Sequence, residues 1–230
     1  MRSRGANVLR LVALDMDGTL VDIVSSYHSV HLYFGENNDD GLRRFMANEI
    51  DDEEFVRTDI KIWQKHRPDL RIDEIEEIFE GIPLMPGAER LVRGLRDRGV
   101  RTAIISGGVD VLARRVARDL GIDVVLANGF RVHSDGRLTG EGIIRVPVQR
   151  KEAVLATLQA RLGIDPSETA AVGNSEIDVG LFRRSQVGIA FKPEDEAVRR
   201  GATAIVEGPD LEEVLEVLRD FPKVPARYAT

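Results

Sequence analysis

The chain of 230 residues contains no cysteine, which excludes disulfides and thiolate metal sites. No apolar run approaches the length needed to span a membrane. Internal repeats and low-complexity tracts are also absent. The opening Met1-Arg2-Ser3-Arg4-Gly5-Ala6-Asn7 carries no separate apolar signal segment, and the expectation is a cytoplasmic enzyme. Lysine is scarce, at Lys61, Lys65, Lys151, Lys192 and Lys223 only, and arginine supplies the other basic residues. The net charge of −7 gives no general electrostatic reason to bind nucleic acid or an anionic membrane. An anionic substrate must then be attracted locally, by a cation and a few basic groups. What is present, 43% hydrophobic and 31% charged residues, describes a soluble globular protein. The length suits one large domain, or a core domain with a smaller companion.

The stretch Val12-Ala13-Leu14-Asp15-Met16-Asp17-Gly18-Thr19-Leu20 organises the rest. Leu11 to Leu14 is an apolar run that predicts a buried strand of a parallel sheet. It ends on two aspartates one residue apart, followed by the turn signal Gly18-Thr19. Residues i and i+2 of an extended strand point the same way, so Asp15 and Asp17 aim into one volume at a strand's carboxyl end. Two close carboxylates repel unless something positive neutralises them, which predicts a divalent cation.

Residues from about 25 to 81 carry helical stripes, with Val56, Ile60 and Trp63 at one spacing and Ile72, Ile75, Ile78 and Phe79 at another. Acidic clusters at Asp51 to Glu54 and at Asp73-Glu74 suit first turns of helices. From Ile82 the pattern alternates. Helices are expected after Pro86-Gly87, over Val109 to Leu120, over Lys151 to Leu162 and over about Leu211 to Arg219. Strands are expected at Val100 to Ile105, Asp123 to Ala127, Thr169 to Val172, Val187 to Ala190 and Ala204 to Val206. Ser134-Asp135-Gly136 predicts a short hairpin between Phe130-Arg131-Val132 and Arg137-Leu138-Thr139. The fold expected is α/β: a doubly wound, Rossmann-like parallel sheet core (1–24 and 82–220) with an inserted α-helical cap domain (25–81) and a flexible tail (221–230). Polar hinges near Asp22 and Ile82-Pro83 would join cap to core.

Three further stretches carry chemistry. Ser106-Gly107-Gly108 follows a strand and is expected to open a helix, where a hydroxyl and free glycine N–H groups suit phosphate oxygens. Lys151 starts a helix, where the dipole disfavours a cation, so helix stability does not explain it. Its ammonium could neutralise a phosphoryl group, with Arg150 as the competing candidate. Val172-Gly173-Asn174-Ser175-Glu176-Ile177-Asp178 ends a strand and enters a turn.

Asp-Met-Asp-Gly-Thr-Leu-Val after an apolar strand resembles the first motif of the haloacid dehalogenase-like phosphohydrolases. Ser106-Gly107-Gly108, Lys151 and Asn174 to Asp178 follow in that family's order, and the helical cap and the hairpin look like its phosphoserine phosphatase-like branch. The resemblance implies Asp15 as nucleophile, forming a phospho-aspartate, and Asp17 as acid, then base. It implies Mg²⁺ held by Asp15, the Asp17 backbone carbonyl and Asn174, with Asp178 contributing directly or through water. Ser106, Gly107 and Lys151 would bind the phosphoryl group, with backbone N–H groups of Gly18 or Thr19 assisting. Asn174 departs from the family, which has an aspartate there. The site loses one negative charge, and weaker metal binding is expected.

The implied reaction is Mg²⁺-dependent hydrolysis of a small phosphomonoester. The alternatives are a phosphotransferase or mutase using the same aspartate, and a weakly active or non-catalytic binding protein. In that branch a cap-side glutamate and a cap arginine read the amino acid of phosphoserine. Val24 and Asp59 stand at the matching positions, and Asp59 would repel the substrate's carboxylate unless Arg43, Arg44 or Arg57 substitutes. His28 and His31, at i, i+3, are read mainly as a partly exposed helix face. Trp63, Phe55 and Tyr27 are read as cap core. Sugar phosphates, methylthio-pentenyl phosphates and other small monoesters stay open.

Overall fold

A computed structural model describes residues 8–221. The apolar run forms strand β1 (Leu11–Leu14), fully buried and paired in parallel on both sides, as its unbroken hydrophobicity requires. Four helices follow: α1 (Ser26–Phe34), α2 (Asp39–Met46), α3 (Asp52–His66) and α4 (Ile72–Glu80). The order continues as α5 (Ala88–Asp97), β2 (Arg101–Val109), α6 (Asp110–Leu120), β3 (Val124–Val132) and β4 (Leu138–Ile143). Then come α7 (Lys151–Leu162), β5 (Thr169–Gly173), α8 (Val179–Arg183), β6 (Val187–Phe191), α9 (Glu196–Gly201), β7 (Ala204–Val206) and α10 (Val214–Val217). The seven strands stand in the order β4-β3-β2-β1-β5-β6-β7, all parallel except β4. The chain builds outward from β1 through β2 to β3, then crosses to β5 on the other side. The carboxyl end of β1 is therefore the switch point where open α/β sheets hold ligands.

The two connections between helical insert and sheet run antiparallel and are tied together. Asp22 N–H donates to the Pro83 carbonyl at 3.2 Å and Met85 N–H to that of Leu20 at 2.8 Å. Insert and sheet also share one apolar cluster, in which Val30, Ile60 and Trp63 join Leu14, Ile104 and Val172. The hairpin is pinned to the insert as well, since Leu138 N–H donates to Leu70 O and Ile72 N–H to Gly136 O.

Several boundaries differ from expectation. Residues 106–109 are the end of strand β2, not the start of a helix: the bare Gly107 and Gly108 let the extended chain pass close to Val148 and to Ser26 and Asp17, where a Cβ would collide. The helix begins at Asp110. The two short strands expected at 123–127 and 130–132 are one strand, β3, whose outer half pairs with β4. The last helix is a 3₁₀ turn at Leu211–Glu213 followed by one α-turn. Phe221, expected in the tail, packs against the core, and its carbonyl accepts from Arg98 at 2.6 Å. The rest of that tail, 222–230, lies outside the described residues. Among the described residues no helix is long and apolar enough to cross a membrane.

Candidate active site

The carboxyl ends of β1, β2, β5 and β6 converge under α1, α2 and α3 on a cavity of about 190 Å³. Asp15, Asp17, Ser106, Gly107, Lys151 and Asn174 all line it, so residues spread over 160 positions meet in one place. Asp178 lies directly behind.

Lys151 is 1% exposed, and its Nζ donates to Asp15 Oδ1 at 2.8 Å and to Asp178 Oδ1 at 2.7 Å. Arg150, the competing candidate, is exposed. Burial alone would push the Lys151 ammonium down, but the charges of Asp15 and Asp178 and its bonds to them hold it above the ordinary lysine range. One ammonium cannot neutralise both carboxylates. Burial, together with the charge of Asp178, outweighs Lys151 and pushes Asp15 up to about 7. The other Asp178 oxygen accepts the backbone N–H groups of Asn174 and Ser175, at 3.1 and 3.2 Å. Asp178 thus anchors both Lys151 and the turn that carries Asn174, which places it beside the expected metal position, directly behind Asp15.

Asp17 is held by a residue that the spacing of motifs did not reveal. Ser26, at the start of α1, donates both its backbone N–H and its hydroxyl to Asp17 Oδ2, each at 2.8 Å. The same hydroxyl accepts from Val109 N–H at 2.9 Å, linking the first helix of the insert to the end of β2. Gly108 makes this junction possible, since a Cβ there would lie 2.6 Å from Ser26 Oγ and 2.7 Å from Asp17 Oδ2. Asp17 Oδ1 is buried and has no partner. Burial pushes this carboxyl up to about 6 against the Ser26 bonds. A carboxyl with one oxygen clamped and the other unpaired in the cavity is built to deliver or take a proton.

The backbone N–H groups of Gly18 and Thr19, expected to meet phosphate, instead close the turn on Val21 O and Met16 O, both at 3.1 Å. Gly18 adopts φ +74, and a Cβ would stand 2.2 Å from Asn174 Nδ2, so only glycine permits this approach. The Thr19 hydroxyl donates to Asn174 Oδ1 at a long 3.4 Å. Ser106 Oγ accepts Gly108 N–H at 3.1 Å and is buried beside the cavity. Asn128 clamps the loop leading to Lys151: its Oδ1 accepts from Arg145 and Val146 N–H, and its Nδ2 donates to Gly107 O and Val146 O.

Glu194, after β6, is the other residue missed. It lines the cavity, and its Oε1 accepts from Asn174 Nδ2 at 2.8 Å, while its own N–H donates to Asn174 O. No local motif marks it, because only the sheet order puts the β6 loop beside the β5 loop. Glu176, by contrast, is exposed.

A haloacid dehalogenase-like hydrolase family model matches residues 12–183, three quarters of the chain. The chain belongs to the haloacid dehalogenase-like hydrolases. Two phosphoserine phosphatases are similar to it along nearly their whole length: that of Idiomarina loihiensis is 33% identical over 214 residues (91% of this chain, 93% of the relative), and that of Methanocaldococcus jannaschii 28% over 219 residues (91% and 98%). The chain spans 61% of the relative from Archaeoglobus fulgidus, to which it is 28% identical. A solved phosphoserine phosphatase structure carrying a phospho-aspartyl intermediate analogue superposes with a TM-score of 0.78 at 26% identity, covering 92% of this chain and 99% of that one.

In this haloacid dehalogenase-like hydrolase the charge balance fits a divalent cation. Asp15 and Asp178 share the single ammonium of Lys151 and Asp17 has no cation paired to it, leaving surplus negative charge beside the cavity. Among the described residues no three acidic or histidine side chains form a metal cage. The fitting donor set is instead two aspartate positions with a backbone carbonyl and the Asn174 amide oxygen, hard oxygens suited to Mg²⁺.

The residues expected to read the substrate are rearranged. Val24 stands at the cavity rim, 76% exposed. Asp59 does not face the cavity: it is buried, and its Oδ1 accepts from Asn38 Nδ2 and His31 Nε2, both at 2.7 Å. Trp63 Nε1 donates to His31 Nδ1 at 3.1 Å, so His31 belongs to the interior and not to an exposed face. Arg43, Arg44 and Arg57 pair with Asp40, Glu49 and Glu141 and do not line the cavity. Trp63 and Tyr27 are core as expected, stacked on each other with Tyr27 also reaching the cavity, whereas Phe55 is only half-buried and lines the cavity.

Proposed function

We propose that this protein hydrolyses a small phosphomonoester through a phospho-aspartate on Asp15, with Mg²⁺. One observation carries the reading: a nucleophile gripped by a buried lysine and a carboxyl with a free, buried oxygen line the same small cavity. Phosphate monoesters are among the slowest uncatalysed hydrolyses, so the demand is for in-line placement and stabilisation of charge.

An Asp15 oxygen attacks phosphorus as the bond to the ester oxygen breaks, and Asp17 gives its proton to the departing alcohol. Asp17, now a carboxylate, takes a proton from water, whose oxygen attacks the phosphorus carried on Asp15. The acyl phosphate P–O bond breaks, releasing inorganic phosphate and the Asp15 carboxylate. Splitting the reaction in two replaces one hard displacement by two easier ones. Lys151 holds Asp15 in place at rest and offsets the charge of the phosphoryl oxygens as they approach. Ser26 keeps Asp17 aimed at the leaving oxygen. When bound by Asp15, the Asp17 carbonyl and Asn174, Mg²⁺ supplies positive charge to the phosphoryl oxygens.

The test is rapid quenching during turnover of para-nitrophenyl phosphate with Mg²⁺, followed by peptide mass spectrometry. A phosphoryl group on the peptide holding Asp15, absent in Asp15→Asn, is expected. Near-normal phosphate release by Asp15→Asn would refute the assignment.

A further inference from the structure

The half of the cavity beyond the phosphoryl centre has an unusual charge pattern for a site that handles anions. Its walls are apolar, from Leu42, Phe45 and Met46 on the second helix, Phe55 on the third and Ile177 beyond β5. Its volume, about 190 Å³, lies below the roughly 300–1,000 Å³ of most ligand sites, so the alcohol it accepts is short. Lys151 is the only cation among the described residues that line it, and that ammonium is committed to Asp15 and Asp178. The charged group the insert contributes is Asp52, half-buried at the start of α3, one oxygen accepting Val148 N–H at 2.9 Å. Beside it the rings of Phe45 and Phe55 stack at 4.9 Å and 9°. The Tyr27 hydroxyl is buried without a partner. Burial and then the negative charges of Asp59, Asp17, Asp110 and Asp52 push that phenol well above its ordinary range.

A carboxylate on the leaving group would face Asp52 with no counter-charge. An ammonium in the same place would pair with Asp52 and lie against aromatic rings, which attract cations. We propose that this cavity selects phosphomonoesters of short amino alcohols lacking a carboxylate, held through Asp52 and the Phe45–Phe55 wall. The inference rests on the phosphomonoester reading above and narrows it, since phosphoserine carries the one group this wall leaves unmatched.

Four esters decide it, assayed on the full chain with Mg²⁺: O-phosphoethanolamine, L-O-phosphoserine, glycerol 3-phosphate and phosphoglycolate. We expect kcat/KM for phosphoethanolamine to exceed that for phosphoserine at least about tenfold, near 1.4 kcal/mol, with phosphoglycolate lowest. In Asp52→Asn, which keeps an acceptor for Val148 N–H, the ratio of phosphoethanolamine to glycerol phosphate should fall about tenfold. Phosphoserine used as well as or better than phosphoethanolamine by the wild-type protein would overturn the inference whether or not the variant folds. So would hydrolysis of para-nitrophenyl phosphate without any of the four. Failure on para-nitrophenyl phosphate as well would instead overturn the phosphatase reading, and the inference with it.

Discussion

The floor of the cavity and its roof handle charge in opposite ways. On the floor, made by strand ends, each charged group is tied to a fixed neighbour: Lys151 bridges Asp15 and Asp178, Ser26 holds one oxygen of Asp17, and Glu194 holds Asn174. The roof, made by the insert, sends its own polar chain of Trp63, His31 and Asp59 inward, away from the cavity, and offers it mainly apolar walls and Asp52. Buried charges need rigid partners, and strand ends tied into a sheet can supply them. A roof free of that demand can change its lining without disturbing the chemistry beneath. The difference teaches that the groups proposed for the reaction and those proposed to read the substrate sit on separate elements.

Mutations can break that separation or sharpen it. The largest effect is expected on the floor: Asp15→Asn should cost at least about 10⁴-fold in kcat, read by phosphate release, since removing a nucleophile removes the pathway. Lys151→Met should both abolish turnover and destabilise the fold by about 3–5 kcal/mol in urea denaturation, because it leaves Asp15 and Asp178 buried without their cation. Glu194→Gln should weaken Mg²⁺ binding about tenfold by calorimetry, as losses of groups that orient a ligand do. In the roof, Asp59→Ala should lower stability by about 1–3 kcal/mol, orphaning His31 and Asn38. It should leave kcat/KM within about twofold; a hundredfold loss of activity would end the claim that Asp59 is remote from the site. The smallest effect belongs to the rim. Val24→Lys should improve use of phosphoserine relative to phosphoethanolamine about fivefold, since an exposed charge acts through water, where a pair at 4 Å is worth about 1 kcal/mol.

Legibility in the sequence followed the range of the forces involved. Unbroken apolar runs marked β1 and the alternation of elements marked the sheet, because burial on both faces leaves its signature residue by residue. Ser26 and Glu194 left no such mark. A serine opening a helix and a glutamate after a strand are ordinary locally, and they gain meaning only from what the topology sets against them. Asp59 misled for the same reason: it stands at the position matching the cap arginine of the resembling branch, but the helix turns it to His31 and Asn38.

By itself the sequence determined the α/β class, the place of the helical insert and the carboxylates, lysine and asparagine that meet at the strand ends. These rest on periodicity and on motifs only a few residues long. The tertiary structure alone decided that Asp178 anchors Lys151, that the Gly18 and Thr19 N–H groups close a turn, and that Asp52 rather than Asp59 faces the cavity. Those outcomes depend on which side chains distant parts of the chain bring within 3 Å of one another, a distance no spacing along the sequence encodes.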